Sequence, residues 1–178
     1  MTKRTIAALA ILLLASPAGA QSPTAPAAAP CTGPEFRTLD FWVGEWIAED
    51  DKGQRIGTNR ITRDEYGACV ITEHFKMADG SMIGHSVSIY RPALKQWRQN
   101  WVDSQGGYFD LTGGPVSGSD HIFALENNRP VPTASFLRMI WQDVKPDSFV
   151  WRWQARAKET DPWADRWVIH YKRAEAAS

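Results

Sequence analysis

The chain has 178 residues and carries 20 basic and 20 acidic side chains. That length suits one domain with a sound core. With no basic excess to meet a phosphate backbone, the charge argues against nucleic acid as a partner.

The chain opens with Lys3 and Arg4, an apolar run from Ile6 to Leu14, and the small residues Ala18-Gly19-Ala20. This order of charge, apolar run and small-residue site reads as an export signal. The run is too short to span a bilayer of roughly 30 Å as a stable helix. Residues 1–20 are therefore read as a signal peptide, with a retained N-terminal anchor as the alternative. Cys31 lies too far downstream of the cleavage site, and follows a proline, to serve as a lipid anchor. Loss of Lys3 and Arg4 leaves 18 basic against 20 acidic residues, a net charge near −2. The expected location is outside the cytoplasm, in the periplasm. No second apolar stretch is long enough to cross a membrane.

Residues 21–30, QSPTAPAAAP, are uncharged, aperiodic and rich in Pro and Ala, which describes a flexible leader. The folded body is expected over residues 31–173, with 174–178 as a tail. Its two cysteines, Cys31 and Cys69, allow one pairing. In an exported chain an even count favours a disulfide. The other reading is two free thiols with Cys69 buried.

Residues 34–43, PEFRTLDFWV, predict one short helix: Pro34 suits a first turn, Phe36, Leu39 and Val43 share a face, and Gly44 ends it. The period then changes. Short runs rich in β-branched and aromatic residues predict strands near 45–50, 54–64, 68–77, 82–90, 96–103, 107–112, 119–126, 134–143, 148–157 and 165–173. Turn residues separate them, among them Tyr66-Gly67, Asp79-Gly80, Gly113-Gly114-Pro115 and Asn127-Asn128. About ten strands in an up-and-down antiparallel meander close most naturally into an all-β barrel, because closure removes exposed edges.

Asp79-Gly80 predicts a two-residue type I′ turn. Phe75 then faces Gly84, Glu73 faces Ser86 and Ile71 faces Ser88. On the next strand Tyr90 meets Trp97, Ser88 meets Gln99, Ser86 meets Trp101 and Gly84 meets Asp103. Opposed residues share a face. One face gathers large aromatics, small residues and a few polar groups, as a binding lumen would. The other carries His74, Lys76, His85, Arg98 and Asn100, with Val87, Ile89 and Leu111 as apolar exceptions.

The segments LDFWVGEW, GTNRI, GACVITEHF, GHSVSIY and QWRQNWVDSQG follow one another in this order. They resemble an uncharacterised bacterial secreted family of lipocalin-like (calycin-type) barrels whose hallmark is a Phe-Trp-x-Gly-Glu-Trp opening. The resemblance covers residues 31–112 well; beyond, the strand pattern, Trp141 and the final aromatic-basic strand fit. It implies the barrel fold and the Cys31–Cys69 bridge, and it carries no established activity. Lipocalin-like barrels place the tryptophan of a G-x-W motif at the closed end. Gly44-Glu45-Trp46 matches that motif, so Trp46 is expected to plug the barrel floor, with Trp42 and Phe41 packing the short helix onto it.

The expected ligand site comprises Glu73, Ser86, Tyr90, Gln99, Trp101 and Asp103, with Trp151 and Trp153 as apolar wall. A carboxyl among aromatics has a raised pKa, so Glu73 and Asp103 are also weak candidates for acid/base catalysis. The blander reading is a buried polar network that satisfies itself, with Arg138 or Arg152 as partner. His74 and His85 are opposed across the hairpin, but Lys76 shares their face and no third ligand is evident, so no metal site is predicted. A related barrel family binds haem through a late-strand histidine, which makes His170 a candidate by analogy. Its alternation with Val168 and Lys172 points it outward instead, so no cofactor is predicted and haem is the alternative. The nine tryptophans, all beyond residue 40, could stack on sugars if exposed; the reading taken is inward. No phosphate-binding glycine loop, nucleophile elbow, CxxC or HExxH motif is present. The expected role is to bind a small apolar or aromatic molecule in the lumen. The rivals are an enzyme built on Glu73 or Asp103 and a protein-interaction module with no ligand.

Overall fold

Ten antiparallel strands run β1 (Gly44–Glu49), β2 (Arg55–Thr62), β3 (Val70–Met77), β4 (Ile83–Arg91), β5 (Gln96–Asp103), β6 (Tyr108–Pro115), β7 (His121–Leu125), β8 (Phe136–Gln142), β9 (Ser148–Arg156) and β10 (Ala164–Arg173). The structure is a computed structural model and describes residues 31–63, 68–115, 121–125 and 136–175. Each strand pairs with its chain neighbours, and β1 closes the barrel against β10 through Trp46 opposite Arg173 and Ala48 opposite Tyr171. The segments expected to be a signal peptide and a flexible leader, residues 1–30, fall outside the described residues, as do the Tyr66-Gly67 and Asn127-Asn128 breaks. Among the described residues no helix is long and apolar enough to cross a membrane.

Side-chain alternation fixes what faces inward. Phe75 opposes Gly84, Glu73 opposes Ser86 and Ile71 opposes Ser88. Gly84 opposes Asp103, Ser86 opposes Trp101, Ser88 opposes Gln99 and Tyr90 opposes Trp97. This is the predicted register, reached by a different turn. The loop has four residues between Met77 and Met82, with Met77 N–H donating to Met82 O at 2.9 Å and Gly80 N–H to Met77 O at 3.1 Å. Gly80 takes the left-handed conformation at φ 74°, whereas Asp79 does not. A type I′ turn needs positive φ at both centres. Asp79 instead accepts the Ser81 N–H with its own carboxylate at 2.9 Å. Two- and four-residue loops centred on the same pair give the same register, which is why the facing pairs survive the change of turn.

Three further expectations change. Residues 34–43 form two 3-10 turns, Pro34–Arg37 and Asp40–Trp42, rather than one helix. The break is held by side chains: Thr38 Oγ1 donates to Glu35 O at 3.1 Å and accepts the Trp97 indole N–H at 2.8 Å. Asp40 meanwhile pairs with Arg37 at 2.7 Å and Arg63 at 2.5 Å. Gly113-Gly114-Pro115 is not a turn but the end of β6, opposite Phe123, Ile122 and His121. A Cβ on Gly113 would lie 2.0 Å from Ile122 O, so glycine serves close backbone approach here. Leu111 faces inward, not outward, because it opposes Gln99 and is buried.

Cys31 and Cys69 form a disulfide that ties the entry segment to the residue before β3. Such a bond belongs to an oxidising compartment.

Candidate functional site

The floor of the barrel is built from the aromatic entrance. Trp46 is buried and donates its indole N–H to Trp42 O at 2.8 Å. Phe149 meets its ring edge-on at 4.7 Å, and the Arg173 guanidinium covers it at 4.2 Å. Arg173 also donates to Val43 O at 3.2 Å and Pro146 O at 2.9 Å, joining the entrance to the β8–β9 connection. Trp42 packs edge-on to Trp141 at 5.2 Å, and Phe41 lies against His121 and Phe149. Each of these large rings contributes a few kcal/mol by leaving water. Gly44 sits at φ 144°, in the region that favours glycine, and a Cβ there would strike the Arg173 guanidinium.

Above this floor is a cavity of about 210 Å³. Its floor is Trp42, and Phe75, Trp101, Phe109, Trp151, Trp153 and Trp167 wall it. The Trp151 and Trp153 rings lie parallel at 6.4 Å, Trp167 meets Trp151 edge-on at 5.8 Å, and Phe109 leans on Trp153 at 5.1 Å. Trp101, Trp151, Trp153 and Trp167 are only half-buried, so part of each indole is open to an occupant. Met82, from the β3–β4 loop, and Asp103 stand toward the opposite end from Trp46. Gly84 makes this wall possible: a Cβ there would lie 2.1 Å from the Trp101 ring.

One polar cluster interrupts the apolar wall. Glu73 is 8 % exposed. Its Oε1 accepts from Asn59 Nδ2 at 2.6 Å and its Oε2 from Ser86 Oγ at 2.6 Å. Gln99 Nε2 donates to Ser86 Oγ at 3.2 Å and Ser88 Oγ at 3.1 Å, so the hydroxyls are oriented from behind. Asn59 Nδ2 also reaches the Tyr171 hydroxyl at 3.3 Å. Burial pushes the Glu73 carboxyl up to about 7, against the opposing pull of the Ser86 and Asn59 hydrogen bonds. Burial also raises Tyr171 well above its ordinary value, and the nearby Glu73 charge adds to this. Asp103 behaves oppositely. Desolvation, its largest single influence, raises it, but hydrogen bonds from Trp101 Nε1, Gly107 N–H and Gln105 N–H together bring it below the usual carboxylate range.

The structure brings Glu73, Gln99, Trp101, Asp103, Trp151 and Trp153 to one cavity. Ser86 stands behind Glu73 and Gln99, fully buried, and reaches the cavity through these two hydrogen-bond partners. Tyr90 lies elsewhere, against Phe36 at 5.1 Å and Trp97 at 5.9 Å, because β4 carries it past the lumen to the floor segment. Arg138 and Arg152 are not partners of Glu73. They face outward, where Arg138 donates to Gln154 and Arg152 to Gln142 and Asp165. His74 and His85 are ring neighbours at 4.6 Å on the outer face. Among the described residues no three His, Cys, Asp or Glu side chains gather as a metal would require. His170 points outward to Asp51 at 2.8 Å.

Asn59, Phe109, Met139, Trp167 and Tyr171 belong to the site or its polar cluster but escaped the sequence-based site list. Trp167 and Tyr171 carried a signal, since they alternate with the outward His170. Phe109 carried one in the register, opposite Trp101. No model of a known protein family matches the chain, and no curated protein matches it.

Proposed function

We propose that this barrel binds a small apolar or aromatic molecule in its lumen, as an exported member of the lipocalin-like family its opening motif resembles. The observation that carries the reading is the cavity of about 210 Å³ walled by half-buried indoles around one polar cluster. A dry cavity of about 150 Å³ already holds benzene. The volume here suits a one- or two-ring molecule better than haem or a long acyl chain. The disulfide and the Trp46 floor in its G-x-W context support the exported, lipocalin-like part of the proposal. The cavity counts against a solidly packed interaction module. Acid/base chemistry draws support from Glu73, but both of its oxygens already accept hydrogen bonds and Asp103 is engaged by three N–H groups.

Tryptophan fluorescence of the purified protein, titrated with one- and two-ring aromatics, tests the reading. Saturable quenching at one site per chain is expected, weakened by Gly84→Val. A flat response across the panel would reject it.

A further inference from the structure

We infer that the lumen selects small organic cations with an aromatic or apolar body over neutral molecules of the same shape. This deepens the lumen-binding reading and rests on it. The first ground is charge. The ionisable side chains lining the cavity are Glu73, Asp103 and Tyr171; no Lys, Arg or His among the described residues lines it. The strands next to it do carry cations, but on the other face. Arg138 and Arg156 lie over Trp163 at 4.2 and 4.4 Å, and Arg152 pairs with Asp165. The barrel therefore turns its guanidinium groups out and two carboxyl groups in.

The second ground is the wall. Half-buried indoles of Trp101, Trp151, Trp153 and Trp167 present π surface to the same volume. Such a cage attracts an alkylammonium or aryl cation through the ring quadrupole, and more strongly once both are desolvated. The third ground is Glu73. An ionised carboxylate in an apolar lumen costs free energy unless a counter-charge accompanies it. Asn59 and Ser86 give it neutral donors only. An entering cation supplies the missing charge.

The flanking strands face Glu73 with Ile61, Asn59 and Ser86, none of them charged. The titratable groups sharing its lumen are Tyr171 on β10 and Asp103 on β5. Tyr171 stays neutral, being raised, and Asp103 is already ionised, being lowered. Glu73 is thus the group that changes charge near neutral pH. A cation favours its ionised form, so cation binding releases a proton below pH 7 and tightens as pH rises.

The test compares phenyltrimethylammonium with tert-butylbenzene, its neutral counterpart in shape, and with benzenesulfonate. Affinities come from tryptophan fluorescence of the full-length protein at about pH 8 and about pH 5.5. At pH 8 the cation is expected to bind at least about tenfold tighter than tert-butylbenzene, with benzenesulfonate weakest. That preference should shrink by about tenfold or more at pH 5.5. Glu73→Gln should collapse the cation-to-neutral ratio toward its acidic value at both pH values. Should that variant fail to fold, by circular dichroism, the pH series on the native protein decides alone. Equal or tighter binding of tert-butylbenzene at pH 8, or a ratio indifferent to pH, would overturn the inference while leaving the lumen reading intact. No binding of either molecule would overturn both.

Discussion

The guanidinium of Arg173, the last residue of β10, lies 4.2 Å above the ring of Trp46, the third residue of β1. The two also oppose each other in the strand pair that closes the barrel. Arg173 adds hydrogen bonds to Val43 O and Pro146 O, so one side chain joins the entrance segment, the closing seam and the β8–β9 connection. Arg173→Ala is expected to lower stability by about 1–2 kcal/mol, from the lost ring contact and hydrogen bonds. Arg173→Lys should recover little, because an ammonium lacks the planar fork that stacks and donates at once. Urea unfolding midpoints at constant m-value measure both.

Glu73 gives the protein a pH signature. Its folded pKa is raised from 4.5 to about 7, so between those values the folded state holds a proton that the unfolded state has released. Stability therefore falls as pH rises through this window and levels off above it. The whole change is roughly 2–4 kcal/mol. Glu73→Gln should remove the slope and be the more stable protein at pH 8. Denaturant titrations of both proteins across the window check this by difference. Asp103, whose pKa is lowered, acts with the opposite sign and only in more acidic solution.

The hairpin face, including Glu73 opposite Ser86 and Ser86 opposite Trp101, was legible from strand alternation and one turn. A wrong turn type did no harm, because loops of two and four residues around the same pair keep the facing residues together. The polar cluster was legible only on that side. Asn59 sits on β2, and no local pattern announces that its amide reaches a carboxylate on β3. Tyr171 approaches from the far end of the chain, a contact that exists only once the barrel closes. Tyr90 misled for a related reason: strand alternation gives the inward face but not the depth along the axis. Gly113 and Gly114 read as a turn because glycine serves loops and crowded backbones alike; at Gly113 the approach of Ile122 O marks the second case.

Gly84 is where the wall is most sensitive. A Cβ would lie 2.1 Å from the Trp101 ring, whose indole N–H bonds Asp103 at 2.9 Å. Gly84→Val should push the ring from its place, break that bond and lower stability by about 1–3 kcal/mol. The tryptophan emission maximum and the affinity for an aromatic probe should change together. Retention of both would mean that the wall accommodates the added methyls.

The disulfide closes a loop of sequence separation 38. Replacing both cysteines by serine should cost roughly 2–4 kcal/mol in the chain-entropy model. Because the bridge lies at the entrance segment and not in the cavity, probe affinity should survive wherever the variant remains folded. Thermal melts beside probe titrations measure the two effects separately.

The most direct test of lumen binding is native mass spectrometry of the protein exported and purified from its own host, followed by denaturing extraction. The account predicts one small molecule per chain, apolar or aromatic in body and of one- or two-ring size. An empty protein whose tryptophan fluorescence also ignores a panel of such molecules would contradict it.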